Sequence, residues 1–80
     1  MKDKFKNLIC NRINSLLVEK SITAETLAYQ SGISKGGLSE ILSGKKCPSS
    51  FTIAKICSGF NITLKDFYDF KDFDTFLETI

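Results

Sequence analysis

Between Thr23 and Lys46 the chain gathers side chains suited to hydrogen bonding with a polar or anionic surface: Thr23, Ser34, Lys35, Ser39, Glu40, Ser43, Lys45 and Lys46. Lysine brings a point charge with three donors, a hydroxyl donates and accepts, and a carboxylate only accepts. Such a set serves reversible recognition. Bond-making chemistry has less to work with, because there is no histidine and the three cysteines, Cys10, Cys47 and Cys57, form no Cys-x-x-Cys pair. A zinc site needs three or four ligands of those types. No glycine-rich phosphate loop follows a strand pattern. The expectation is a protein that is not an enzyme and uses no cofactor or metal. Cys10 and Cys57 fall at apolar positions of predicted helices and read as small core hydrophobes, while Cys47 falls in a loop. Reduced thiols fit a cytoplasmic address.

The bulk properties frame this reading. A chain of 80 residues with 42% hydrophobic and 25% charged residues has an ordinary globular composition and length for one domain. No apolar run approaches the roughly 18 residues of a membrane span. The start, Met1-Lys2-Asp3-Lys4-Phe5-Lys6, leads into an amphipathic pattern and not an apolar signal region, so the expectation is no membrane and no export. The net charge of +2 is unevenly placed: residues 1–60 carry nine Lys/Arg against four acids, and residues 61–80 carry two against five. A basic body with an acidic tail suits a polyanionic partner on one face.

The polar residues must be held by helices, and the sequence marks where those helices start. Three times an isoleucine precedes a hydroxyl residue, with an apolar residue five positions after the isoleucine: Ile22-Thr23 with Leu27, Ile33-Ser34 with Leu38, Ile62-Thr63 with Phe67. Each is a hydroxyl N-cap inside a hydrophobic staple, and Asp66 places a near capping box behind Thr63. Ser49, after Pro48, gives a fourth start. Apolar residues at helical spacing then predict helices over about 4–20, 24–31, 35–43, 50–59 and 64–70. Gly32 and Gly44 stand where helices should stop. Phe73, Phe76, Leu77 and Ile80 have spacings that fit a short sixth helix. The fold class is therefore all-α: a compact five-helix bundle with a central helix-turn-helix and room for a short sixth helix at the C-terminus.

The second and third helices are joined by Gly32-Ile33-Ser34, the spacing of a DNA-binding helix-turn-helix. The stretch from Ile22 to Ser34, then Leu38 to Lys45, then Pro48-Ser49 through Cys57 and Phe60 to Leu64, resembles the lambda-repressor/Cro-like (XRE-type) helix-turn-helix family. The resemblance covers about residues 5–70. It implies a five-helix bundle whose third helix enters the major groove of double-stranded DNA, usually as a homodimer on a near-palindromic site. Carried over by position, the base-facing residues are Ser34, Lys35, Gly36, Ser39 and Glu40. Spacing agrees: with Leu38, Ile41 and Leu42 inward, Lys35, Gly36, Ser39, Glu40 and Ser43 face out. Lys45 and Lys46, beyond the helix, are expected phosphate contacts, joined by Ser43 and by Thr23 at the start of helix 2. Lys35 could donate to guanine or meet a phosphate, and Glu40 could accept from cytosine. Gly36-Gly37 inside the recognition helix supply no side chain and cost about 1 kcal/mol each relative to alanine. Ala24 stands where many relatives carry a polar residue.

Most aromatics lie in the C-terminal half. Residues 1–70 read as the DNA-binding domain and 71–80 as a C-terminal tail extending a dimer contact, with Phe51, Phe67, Phe70, Phe73 and Phe76 as its interface. The alternative use of those rings is to thicken a small core. The leading functional expectation is a transcriptional regulator, a repressor, working as a homodimer. Two others stay open: an antitoxin whose acidic Asp72, Asp74 and Glu78 meet a toxin, and an interaction module with weakened DNA readout. Polymerase is a further protein partner to consider.

Overall fold

Four of the six helices begin where a hydroxyl takes up an orphan backbone donor. In the computed structural model, which describes residues 1–80 throughout, α1 spans Lys2–Lys20, α2 Ala24–Ser31, α3 Lys35–Leu42, α4 Ser50–Phe60, α5 Leu64–Tyr68 and α6 Lys71–Leu77, with no strand. Thr23, Ser34, Ser49 and Thr63 accept from the amides of Thr26, Gly37, Thr52 and Asp66. Asp66 returns the bond to the Thr63 amide, completing a capping box. The oxygens of these four caps meet donors that would otherwise be unpaired at each helix start. Gly32 closes α2 at φ 69°, a left-handed turn that costs an L side chain more than glycine. The Ile33 amide then returns to the Ala28 carbonyl at 3.0 Å, which turns the chain directly into α3.

The core runs through every helix. Ile9, Ile13 and Leu16 of α1 meet Leu27 and Ala28 of α2, Leu38 and Ile41 of α3, Ile53, Ile56, Cys57 and Phe60 of α4, Phe67 of α5 and Phe73 of α6. Helices α2 and α4 approach closely at Gly59. A Cβ on Gly59 would overlap the Ser31 hydroxyl and lie 3.1 Å from the Ser31 amide nitrogen and 3.2 Å from Leu27 Cδ1. Ser31 Oγ is buried there without a hydrogen-bond partner. Burial pushes the Cys57 thiol up from its ordinary range, so it stays a neutral apolar filler.

Cys10 departs from the small-hydrophobe reading. It is half-buried, and its Sγ donates to the Leu42 carbonyl at 2.6 Å, where Asn14 Nδ2 also points, at 3.5 Å. Together these two α1 side chains cap the end of α3.

The C-terminal third differs most from expectation. Helix α5 stops at Tyr68, where Arg12 reaches across from α1 and takes two carbonyls of its last turn. Its Nε donates to Phe67 O and its Nη2 to Asp66 O, both at 2.7 Å, and the guanidinium lies 5.0 Å from the Phe70 ring centroid. Phe70 is extended and becomes the residue before α6. Helix α6 then packs on α1, with Phe5 5.1 Å from Phe76 and 6.0 Å from Phe73 between ring centroids. This corrects the interface assignment. Phe67 is 0% exposed and Phe73 and Phe76 are 7% exposed within one chain, so they thicken the core and present no surface to a second copy. Phe70 is half-buried under Arg12; of the five, Phe51 alone is open, at 70%. The radius of gyration, 12.0 Å, is close to the roughly 11.6 Å of a compact chain this long, so residues 71–77 are part of the fold and not a loose extension. No helix is long and apolar enough to cross a membrane.

Candidate nucleic-acid interface

Helix α3 turns its apolar side to the core through Leu38 and Ile41, which leaves Lys35, Gly36, Ser39 and Glu40 on the outside. Together with Ser34 these are the five residues expected to face bases, and all five are exposed. Two of them share a shallow groove with α2: Lys35 and Ser39, with Ser43 beyond them, line one wall, and Ala24 and Glu25 the other. The structure brings Lys35 to Glu25, with Nζ 3.4 Å from Oε2. Glu40 has no such partner, and its carboxylate is free to accept. Its backbone carbonyl is used, taking the Ser43 hydroxyl at 3.2 Å and the amides of Lys45 and Lys46 at 2.9 and 3.2 Å. Those bonds fold the chain over the end of α3 and direct both exposed lysines beyond it.

The hydroxyls are less free than their positions suggest. Ser43 gives its proton to Glu40, and Thr23 donates to Thr26 Oγ1 at 2.9 Å while accepting from the Thr26 amide at 3.1 Å. What Thr23 offers a phosphate is mainly the start of α2. Ser34 accepts from the Gly37 amide at 3.0 Å and keeps its own proton available.

Lys55 is a residue that sequence reasoning passed over. It lies in a second recess, between the starts of α3 and α4, with Ser34, Lys46, Ser49 and Thr52. Its ammonium is 5.2 Å from the Phe51 ring centroid. The signal was available: with Ile53, Ile56 and Cys57 inward, position 55 points away from the core.

The two glycines of α3 differ. A Cβ on Gly36 would meet nothing within 4 Å, whereas one on Gly37 would lie 2.9 Å from Ser34 Oγ, the oxygen that caps the helix. Gly36→Ala is therefore expected to raise stability by up to about 1 kcal/mol, or roughly 4–8 °C in Tm. Gly37→Ala should gain little, because a displaced cap costs about as much as the propensity returns. Thermal unfolding followed by circular dichroism checks both. If close backbone approach is what Gly36 provides, the more stable variant also binds DNA more weakly.

The Cro/C1-type HTH DNA-binding domain family matches residues 12–72, about three-quarters of the chain. Comparison with curated proteins and with solved structures gives no match.

Proposed function

The chain belongs to the Cro/C1-type HTH DNA-binding family, and from that membership we propose a sequence-reading repressor that acts as a homodimer on a near-palindromic operator. The observation that carries the proposal is the outward face of α3. Lys35, Ser39 and Glu40 stand clear of the core on a helix fixed by a three-residue turn, with lysines at its far end. A donor at 35 suits guanine, an acceptor at 40 suits cytosine, and Lys45, Lys46 and Lys55 suit phosphates on either side. Pairing of two copies would set two such helices about one DNA turn apart. The apolar side chains still exposed on α4 and α5 for that pairing are Phe51, Leu64 and Tyr68. Bound over a promoter, the pair would block polymerase.

Selection from a random double-stranded DNA pool at about 0.15 M salt, with sequencing of the bound fraction, tests this. The expected product is an inverted repeat with half-site centres about 10 base pairs apart. Binding that enriches no sequence and fades uniformly with salt would leave phosphate attraction alone and sink the sequence-reading role.

A further inference from the structure

The structure holds one ion pair between helices, and it lies across the groove that the recognition helix shares with α2: Glu25 Oε2 to Lys35 Nζ, 3.4 Å. We infer that Glu25 is a positioning residue for readout, holding the Lys35 ammonium on the α2 side of the groove so that Lys35 addresses base edges and not phosphates. The inference rests on the DNA-reading function proposed above and adds to it the residue that decides what Lys35 reads.

Stability does not account for the pair. The two side chains are 74% and 71% exposed, and ion pairs so open to water contribute little to folding. An acidic residue on a face meant for DNA repels phosphate, so Glu25 carries an electrostatic cost unless it improves the reading. Lysine alone selects poorly, since a point charge on a flexible four-carbon stem meets a phosphate as readily as a base. Glu25 changes both terms. The backbone that carries it is fixed, because Leu27 and Ala28 just beyond it are buried and Thr23 caps the helix before it. Its charge offsets that of Lys35 toward a phosphate, while the ammonium keeps two of its three donors for guanine O6 and N7. Ala24, the neighbouring wall residue, carries no polar group that could do this instead. The plainer role of Glu25, an acid favoured in the first turn of a helix, concerns folding and leaves base preference untouched.

Glu25→Gln, Lys35→Ala and the double variant, made in the full chain, separate these roles. Each is passed through the random-pool selection and titrated with salt on a duplex lacking the selected site. Glu25→Gln is expected to flatten, by about tenfold, the preference at the base pair that Lys35→Ala also affects. It should also steepen the salt dependence by about 0.9, as the freed Lys35 neutralises one more phosphate, and the double variant should lose that steepening. The inference is overturned if Glu25→Gln keeps the wild-type preference at that base pair. It is equally overturned if affinity rises for all sequences alike and the rise survives in the double variant, which would make Glu25 only a repelling charge. A wild-type chain that selects no sequence overturns the reading of function itself, and this inference with it.

Discussion

Replacing Lys45 and Lys46 together with alanine should weaken binding to every double-stranded sequence by roughly thirtyfold at about 0.15 M salt. The figure follows from counterion release: each phosphate contact contributes about 0.9 to the salt slope, hence about five- to sixfold in affinity at that salt. The loss should be the same for selected and unselected duplexes, because phosphate contacts carry no sequence information. Folding should be unaffected. Both side chains are exposed, and it is their backbone amides that hold the turn through the Glu40 carbonyl, which alanine preserves. Titrations at several salt concentrations, with a parallel melting curve, give the result directly. A slope that stays at its wild-type value would remove both lysines from the phosphate contacts.

Gly59→Ala is expected to have the largest effect on stability. The added methyl meets Ser31 Oγ, which could turn aside, but also the Ser31 backbone nitrogen at 3.1 Å, which cannot move without shifting α2. Overpacking of this kind costs about 1–3 kcal/mol. A domain of this size holds only about 4–12 kcal/mol in total, and each kcal/mol moves Tm by roughly 4–8 °C. Ser31→Ala alone should be neutral or slightly stabilising, since it removes a buried hydroxyl that has no partner. Combined with Gly59→Ala it should restore part of the loss, leaving the clash with the Ser31 amide. Additive behaviour of the two substitutions would mean that the hydroxyl is not what the methyl strikes. Because α2 carries one wall of the recognition groove, the Gly59→Ala chain should also lose DNA affinity as it loses structure.

The two halves of the molecule were not equally legible. Between Ile22 and Leu64 the start of each helix is written locally, in a hydroxyl and the apolar residue beyond, with an isoleucine before the hydroxyl in three cases and Pro48 before Ser49 in the fourth, and the four caps form as that pattern implies. The outward face of α3 follows in turn from which residues its core contacts claim. The C-terminal aromatics have no such local rule, because a ring at helical spacing can face its own core or a second copy equally well. What decides the matter is Arg12 and Phe5, more than fifty positions away in the chain, and only the folded structure shows that they meet α5 and α6. The Lys35–Glu25 pair was hidden for the same reason on a smaller scale, since it spans the turn between two helices. The Cys10 thiol likewise reads as apolar until α3 is seen to end against it.

The capping of α3 by α1 makes the recognition helix unequal along its length. Its last carbonyl is clasped by Cys10 and Asn14, while its first turn has the Ser34 cap, the exposed Lys35–Glu25 pair and two glycines that anchor no side chain. Side-chain restraint is thus greatest at the C-terminal end of α3 and least at the end proposed to meet bases. Docking on DNA would then order that first turn further, so part of the entropy of holding it would fall on recognition and not on folding. Cognate and non-cognate sites would accordingly differ in how far they order the start of α3, and heat capacity changes on binding would separate them more sharply than affinities do.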